Sequence, residues 1–569
     1  MQNKTTIWLI AFVFMFCDIN AQLCTNEKPA SFNKSLISSF NDDNSIPVVI
    51  MPQLDMEKIE KEDIEDEKYD MPPRFGYQHK VDYNLSNSGI WHNLPNGDKL
   101  WQLNVVCPNA LSVSFCYNKF WIPEGGKFFV YSKDKKSSIG AFTSKNNKGD
   151  KEHVRGFATG LVYSSDVVLE YYQPKEVLEN AIINIEYVVH GYRYIKISEK
   201  SYGGSGNCMV NVNCDEGKEW QNEKKAIALL LVNNSRYCTG SLVNTTNLSQ
   251  EPFLLTANHC INRYGDAENN PELDYYSFYW NYEAPGCLNE DTEPAYYSTS
   301  GATILANDSI SDFALLQLSE DPKELSNYTP YYLGWDNSGL SGSGGVCIHH
   351  PSGDVKKIST VAGQPVSTPY LVSSGTPNDS HWQVFWASTI NGHSTTEPGS
   401  SGSPLFTSEH KVIGQLHGGY ANCTTNINQA DWYGKFNVSW TDQGNNNSIY
   451  RRLNCWLDPA NTGVQTKEGL LVVNTEQSMS ANQLLYSNIL ITHGGKLTVL
   501  GDIELFGDSD IIVEAGGKLV VDSGSLTCGN LILKSAASLQ IQNNGVIATN
   551  NAFDANVGAT VDISSGTIF

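Results

Sequence analysis

At 569 residues the chain is long enough for several domains, each with its own core. Charged residues are only 17%, aromatics reach 11% and there are 47 glycines, a profile of β-rich globular structure with many turns rather than of a helical or disordered chain. The net charge of −23 repels a phosphate backbone, which argues against nucleic acid as a partner.

At the N-terminus Lys4 precedes the apolar run IWLIAFVFMFC and then DINAQ. A basic start, a short apolar stretch and the small Ala21 predict a secretory signal over residues 1–21, cut before Gln22. The run is too short to span a bilayer and no later segment reaches membrane length, so no membrane span is expected. The mature chain is expected to be secreted or held at a bacterial cell surface by other means. A lipid anchor on Cys24 is disfavoured because the bulky Leu23 precedes it. In an exported chain, the thirteen cysteines should be largely paired.

Residues 22–200 differ in character from the rest of the chain. They open with the acidic run DMEKIEKEDIEDEKYDM, which reads as a solvated helix or flexible face. DKLWQLNVVC, ALSVSFCYNKFWIPEGGKFFVYS and GLVYSSDVVLEYYQP then alternate apolar and polar residues between turns, predicting a small β-rich domain. Cys107 and Cys116 lie close together there and are expected to pair. From 201 to 463, short β-like runs alternate with Gly, Asn and Ser turns over a length that fits two packed antiparallel barrels. Residues 464–569 carry GGKL units starting at Gly494 and Gly516, with a weaker copy in AASLQIQNNG. A period of roughly 20–22 residues with alternating β-branched residues predicts a β-solenoid, and with about three coils it should pack on something or be capped.

Chemistry concentrates in the middle segment, where three short motifs occur in the order His, Asp, Ser. FLLTANHC runs an apolar strand into His259, SDFALLQL opens a strand with Asp312, and GSSGSP sets Ser401 on a tight turn. Each alone is weak; together in one exported β-rich domain they point to nucleophilic catalysis. A serine hydroxyl needs an imidazole to take its proton and return it to the leaving amine, and a buried carboxylate fixes the imidazole tautomer. Ser401 is therefore the candidate nucleophile, His259 the base and acid, and Asp312 the orienting group. Gly399 lets the N–H groups of Gly399 and Ser401 converge on an oxyanion, where one donor is worth about 3 to 4 kcal/mol.

These blocks resemble the chymotrypsin-like serine proteases. CTGSLVN, WNY, IHHP, TEPGSSGSP, GQLHGG, the D-x-Y-G pattern and WLDP resemble, in order, the bacterial lysyl endopeptidases across residues 203–463. The resemblance implies a double antiparallel β-barrel and three disulfides: Cys208–Cys423, Cys214–Cys287 and Cys238–Cys260. The last closes a loop of about 22 residues, worth roughly 3 kcal/mol in the loop-entropy picture. Cys24, Cys347, Cys455 and Cys528 receive no partner from it; a Cys347–Cys455 bridge and its absence stand as alternatives.

Six positions before the serine stands Thr395, so the usual acidic base of a lysine-or-arginine pocket is missing. The resemblance instead implies Asp431, in ADWYGK, as the pocket carboxylate, which pairs with an ammonium while a compact pocket excludes the wider guanidinium. Glu397 competes as a nearby acid. His417, in GQLHGG, also fits a glutamyl endopeptidase, where such a histidine binds an acidic side chain. The expected activity is thus cleavage of protein and peptide substrates after lysine by a monomer, with glutamyl specificity as the rival. A different class is a surface adhesin on the solenoid carrying an inactive protease-like domain.

ISEKSYGGSGNC places Lys200 three residues before the start at Gly203 that the resemblance implies, so self-release after Lys200 is expected, with Glu199 as the alternative. Ser400 stands where chymotrypsin-like zymogens carry an acid, so latency must come from the pro-segment as intramolecular inhibitor or folding guide. Tyr370 or Trp382 is the nearest candidate for a ring stacked on His259. His349 and His350 point to opposite faces of a strand, so no metal and no cofactor is expected.

Overall fold

The computed structural model describes residues 23–25, 27–33, 46–67, 71–193, 204–261, 267, 273–289, 293–372, 375–441 and 447–569. The expected signal segment, Lys200 and Ser201 lie outside them. The chain is mainly β, and no helix among the described residues is long and apolar enough to cross a membrane.

Two sheets form the N-terminal unit. In one, Lys99–Val106 pairs antiparallel with Asp166–Gln173; in the other, Ser112–Trp121 pairs antiparallel with Ile182–Gly191. Trp101, Leu103 and Val105 from the first meet Phe115, Tyr117 and Val188 from the second in one core. This packing overturns the expected Cys107–Cys116 bridge: both are free, buried thiols. Cys107 joins the core between the sheets. Cys116 sits between Phe115 and Tyr117, which face that core, so strand alternation turns its side chain to the opposite face. Burial pushes the Cys107 thiol up to about 12 and raises Cys116 as well.

The acidic run forms the helix Met56–Glu67. It is not purely a solvated face. Asp63 is buried and pairs with Arg74 and Arg193, and Asp66 pairs with Arg236 of the next unit.

That next unit contains a seven-stranded sheet with Ile227–Val232, Arg236–Leu242, Phe253–Ala257 and Phe313–Leu318, and a ten-stranded one with Val346–His349, Pro404–Phe406, Lys411–Gly419 and Asp431–Lys435. The strand IALLLV is apolar at every position because both its faces are covered. Ala228 and Leu230 point into the core of this unit, while Leu229 and Leu231 join the core of the N-terminal unit. Disulfides join Cys208 to Cys423, Cys214 to Cys287 and Cys238 to Cys260. Cys347 and Cys455 are not bridged; the buried Cys347 thiol donates to Ser403 Oγ at 3.2 Å.

The tail is a parallel β-solenoid. Lys496–Val499, Lys518–Asp522, Ser538–Gln542 and Thr560–Ile563 stack in register, with Glu476–Met479 as a further rung below Lys496. Two rungs thus exceed the three repeats legible in the sequence. The corners before Lys496, Lys518, Ser538 and Thr560 each use a left-handed residue, but only Gly494 and Gly516 belong to a GGKL unit; Ala536 and Gly558 take the same conformation in other contexts. The tail is not a free appendage. Its strand Gly469–Val473 pairs antiparallel with Tyr331–Tyr332, and the ring of His410 lies between Trp220 and Tyr486 at 3.9 and 4.1 Å. Its core is continuous with that of the middle unit.

A chain ending at residue 463 would expose Tyr331 and Tyr332, both 1% exposed here. Its melting midpoint is expected to fall by about 4 °C or more, the effect of losing roughly 2 kcal/mol from a domain of this size. An unchanged midpoint would mean that the middle unit does not lean on the tail.

Candidate active site

The pairing of Phe253–Ala257 with Phe313–Leu318 sets Ala257 opposite Phe313. His259 therefore emerges two residues past one strand end, directly beside Asp312, one residue before the other. Asp312 adopts a left-handed backbone (φ 55°) and is held there from three directions. Its carbonyl accepts from Asn258 N–H at 2.8 Å, its Oδ1 from His259 N–H at 2.9 Å, and its Oδ2 lies 2.7 Å from His259 Nδ1. Burial alone would raise the Asp312 pKa, but the imidazoles of His259 and His417 and the bonds from His259 outweigh it, and the net shift is downward. A carboxylate held ionised there fixes the His259 ring with Nε2 toward the cleft.

Ser401 is placed by the strand Arg236–Leu242. Thr239 N–H donates to Ser401 O at 2.8 Å, Thr239 Oγ1 donates to Gly399 O at 3.0 Å, and His350 N–H donates to Thr239 Oγ1 at 3.1 Å. One residue earlier, Cys238 is bonded to Cys260, next to His259. Gly399 has φ +101°, and a side chain there would press on the backbone of His350 and Ser352 at 3.1 Å.

Ser400 does not wait for a new amino terminus. Its Oγ lies 2.7 Å from His349 Nδ1, and His349 Nε2 lies 3.0 Å from Ser359 Oγ. Burial lowers the His349 pKa to about 3, so the ring is neutral and serves as a strut beneath the loop. His350 turns the other way, with Nδ1 2.8 Å from Asp354 O. This strut is not readable from IHHP, because its partners come from distant loops.

His259, Ser401, Thr396, His417 and Asp431 line one cavity of about 280 Å³. Asp431 is 1% exposed and takes hydrogen bonds from Thr396 Oγ1 (2.7 Å), Trp386 Nε1 (2.7 Å) and Ala421 N–H (3.1 Å). Burial raises its pKa and these neutral donors only partly counter it, leaving it at about 6. Glu397 lines the same cavity, but its carboxylate is already tied, accepting from Gly206 N–H at 3.1 Å and Ser352 Oγ at 3.2 Å. His417 has Tyr370 stacked on it at 3.6 Å, His381 Nε2 at 3.0 Å from its Nδ1, and Asp312 Oδ2 at 3.8 Å from its Nε2. Tyr370 therefore stacks on His417, whose ring centre lies 5.8 Å from that of His259. Trp382 covers Lys435 instead. The role of His381 was not foreseen from sequence, and neither was the fact that Met71 and Pro73 from the N-terminal unit line the same cavity. The ligand atoms of His259, Asp312 and His417 lie within 4.8 Å of one another, but a metal there would have to displace the His259–Asp312 bond.

Residues 202–434 match the family model of the lysyl endopeptidase C-terminal domain. This part of the chain is lysyl endopeptidase-like. The lysyl endopeptidase of Pseudomonas aeruginosa is 29% identical over 248 residues, 41% of this chain and 49% of that protein. The chain thus spans about half the length of the curated relative it matches. Among solved structures, the HtrA-type protease AlgW with tripeptide aligns at 16% identity over 39% of this chain and 60% of that one, with a TM-score of 0.26. Disulfides of the lysyl endopeptidase-like domain fit an extracellular setting.

Replacing Thr239 by Val leaves Gly399 O and His350 N–H without their partner. Denaturant unfolding is expected to show a loss of about 1–3 kcal/mol. Unchanged stability would mean that the Ser401 loop is held by other contacts.

Proposed function

We propose that this chain is an exported serine endopeptidase that cleaves on the carboxyl side of lysine. Ser401 Oγ attacks the substrate carbonyl while His259 Nε2 takes its proton, and the N–H groups of Gly399 and Ser401 receive the oxyanion. His259⁺ then hands the proton to the leaving amine, giving an acyl-enzyme that water, activated by the same imidazole, hydrolyses. Asp312 stabilises the imidazolium throughout. Asp431 at the cavity wall pairs with the lysine ammonium. Residues 22–200 are the pro-segment, released after Lys200, and the mature enzyme works as a monomer.

One observation carries the reading: an aspartate-paired histidine and Ser401 share a cavity with a buried carboxylate that has only neutral donors around it. A substrate ammonium is the charge that environment lacks. For the glutamyl alternative, a substrate carboxylate would face Asp431, and the His417 ring is already engaged by His381 and Tyr370. That geometry favours lysine.

Digestion of an unstructured protein mixture by the mature enzyme, with new carboxyl termini read by mass spectrometry, tests this directly. Ends at lysine are expected; ends at glutamate would move the pocket role to His417, and no cleavage would favour the adhesin. In Asp431→Asn, kcat/KM for a lysyl substrate should fall by about 2–4 kcal/mol, a factor of about 30–1,000, with much less change for an uncharged side chain.

The pH dependence comes from the raised Asp431 pKa. Above about 6 the carboxylate is ionised and pairs with lysine; below it the group protonates and the pairing is lost. The acid limb of kcat/KM for lysyl substrates should therefore steepen below pH 6 relative to a substrate with an uncharged side chain. Parallel limbs for both substrates would remove Asp431 from lysine binding.

A further inference from the structure

The N-terminal unit reaches the cleft through one short segment, Met71 to Phe75. It is laid along the strand Arg236–Leu242 like an added strand. Tyr237 N–H donates to Pro73 O at 3.0 Å, Phe75 N–H donates to Ser235 O at 2.8 Å, and Arg74 bridges Arg236 in antiparallel register. Continuing that register sets Met71 opposite Thr239, whose N–H holds Ser401 O. Met71 and Pro73 accordingly line the cavity of His259, Ser401 and Asp431.

The segment is clamped at several points. Arg236 donates to Pro72 O at 2.7 Å and pairs with Asp66. Arg74 pairs with Asp63 at 2.8 Å, and Phe75 stacks on Tyr237 at 4.7 Å. At its other end Met71 N–H donates to Asp66 O at 3.2 Å, which ties the segment to the helix Met56–Glu67.

We propose that Met71–Pro72–Pro73 is a substrate-like strap that closes the catalytic cleft and that the enzyme cannot cut. The inference rests on the endopeptidase reading and adds its regulation. Three features make the strap a blocker rather than a substrate. Met71 brings no ammonium to Asp431. The nitrogen of Pro72 is a tertiary amide whose ring crowds proton delivery from His259. The bond from Met71 N–H to Asp66 O ties the segment to the helix on the acyl side of the Met71–Pro72 bond, where a substrate would run on extended. Because the His349 strut already supports the loop that bears Ser401, latency works by occupancy and not by a deformed site.

The test is the rate at which a fluorophosphonate probe labels Ser401 in the full chain with its N-terminal unit attached. Two variants loosen the strap differently: M71G/P72G/P73G removes its shape, and D63N/D66N removes its ion-pair clamps while keeping its sequence. A strap closed more than nine-tenths of the time slows labelling at least about tenfold, so both variants should label at least about tenfold faster than the unaltered chain. Labelling of the unaltered chain as fast as both variants would overturn the strap while leaving the endopeptidase reading standing. Failure of all three chains to label, with the probe active on a reference serine protease, would overturn the endopeptidase reading itself. In a third variant, M71K/P72A, a cut after residue 71 is expected by mass spectrometry; labelling as slow as the unaltered chain without that cut would place the block elsewhere.

Discussion

Thr239 is the contact on which the catalytic geometry depends. Its N–H, hydroxyl and carbonyl engage Ser401 O, Gly399 O and Thr256 Oγ1, the last at 2.8 Å. Thr256 sits on the strand that delivers His259, and Gly399 and Ser401 frame the proposed oxyanion site. One residue of a single strand thus fixes both halves of the proposed machinery, separated by about 140 residues in sequence. The same strand carries Cys238, bonded to Cys260, and Tyr237, which receives the segment from the N-terminal unit. The proposed nucleophile, base and blocking strap are all registered against one edge, so small displacements of that edge would move them together.

Two buried aspartates in this site have opposite electrostatic fates for a simple reason. Asp312 faces two imidazoles, and their attraction overcomes desolvation, so it stays a carboxylate. Asp431 is as deeply buried but meets neutral donors, a hydroxyl, an indole N–H and two backbone N–H groups, so desolvation prevails and its pKa rises to about 6. The first is suited to holding a ring through a catalytic cycle; the second is a charge whose natural complement arrives with the substrate.

The middle unit has its own two sheets and is covered by a neighbour on either side in sequence. The N-terminal unit covers Leu229 and Leu231, and the solenoid covers Tyr331 and Tyr332. Neither neighbour touches the catalytic residues through these contacts, yet each buries apolar surface that the middle unit would otherwise present to water. The proposed release of the N-terminal unit would therefore uncover an apolar strand face as well as the cleft. The solenoid docks on a different part of the unit, through strand pairing as well as packing, so its attachment is independent of that release.

Local information in the sequence determined the mainly β class, the solenoid period and the candidates His259, Asp312 and Ser401. Alternation, turn residues and short motifs act over a few positions and survive without knowledge of the fold. The family resemblance extended this to Asp431 and the three disulfides. What the tertiary structure alone decided concerns partners far apart in the chain. Cys107 and Cys116 are near in sequence, yet belong to different sheets and opposite faces. Glu397 lines the cavity with its carboxylate tied to Gly206 and Ser352, and His381 reaches His417 only because their strands are brought together through Asp431–Lys435. The acidic run reads as solvated until Arg74, Arg193 and Arg236 converge on it. Desolvation and pairing depend on what covers each group, and that cover comes from segments whose separation leaves no local pattern to read.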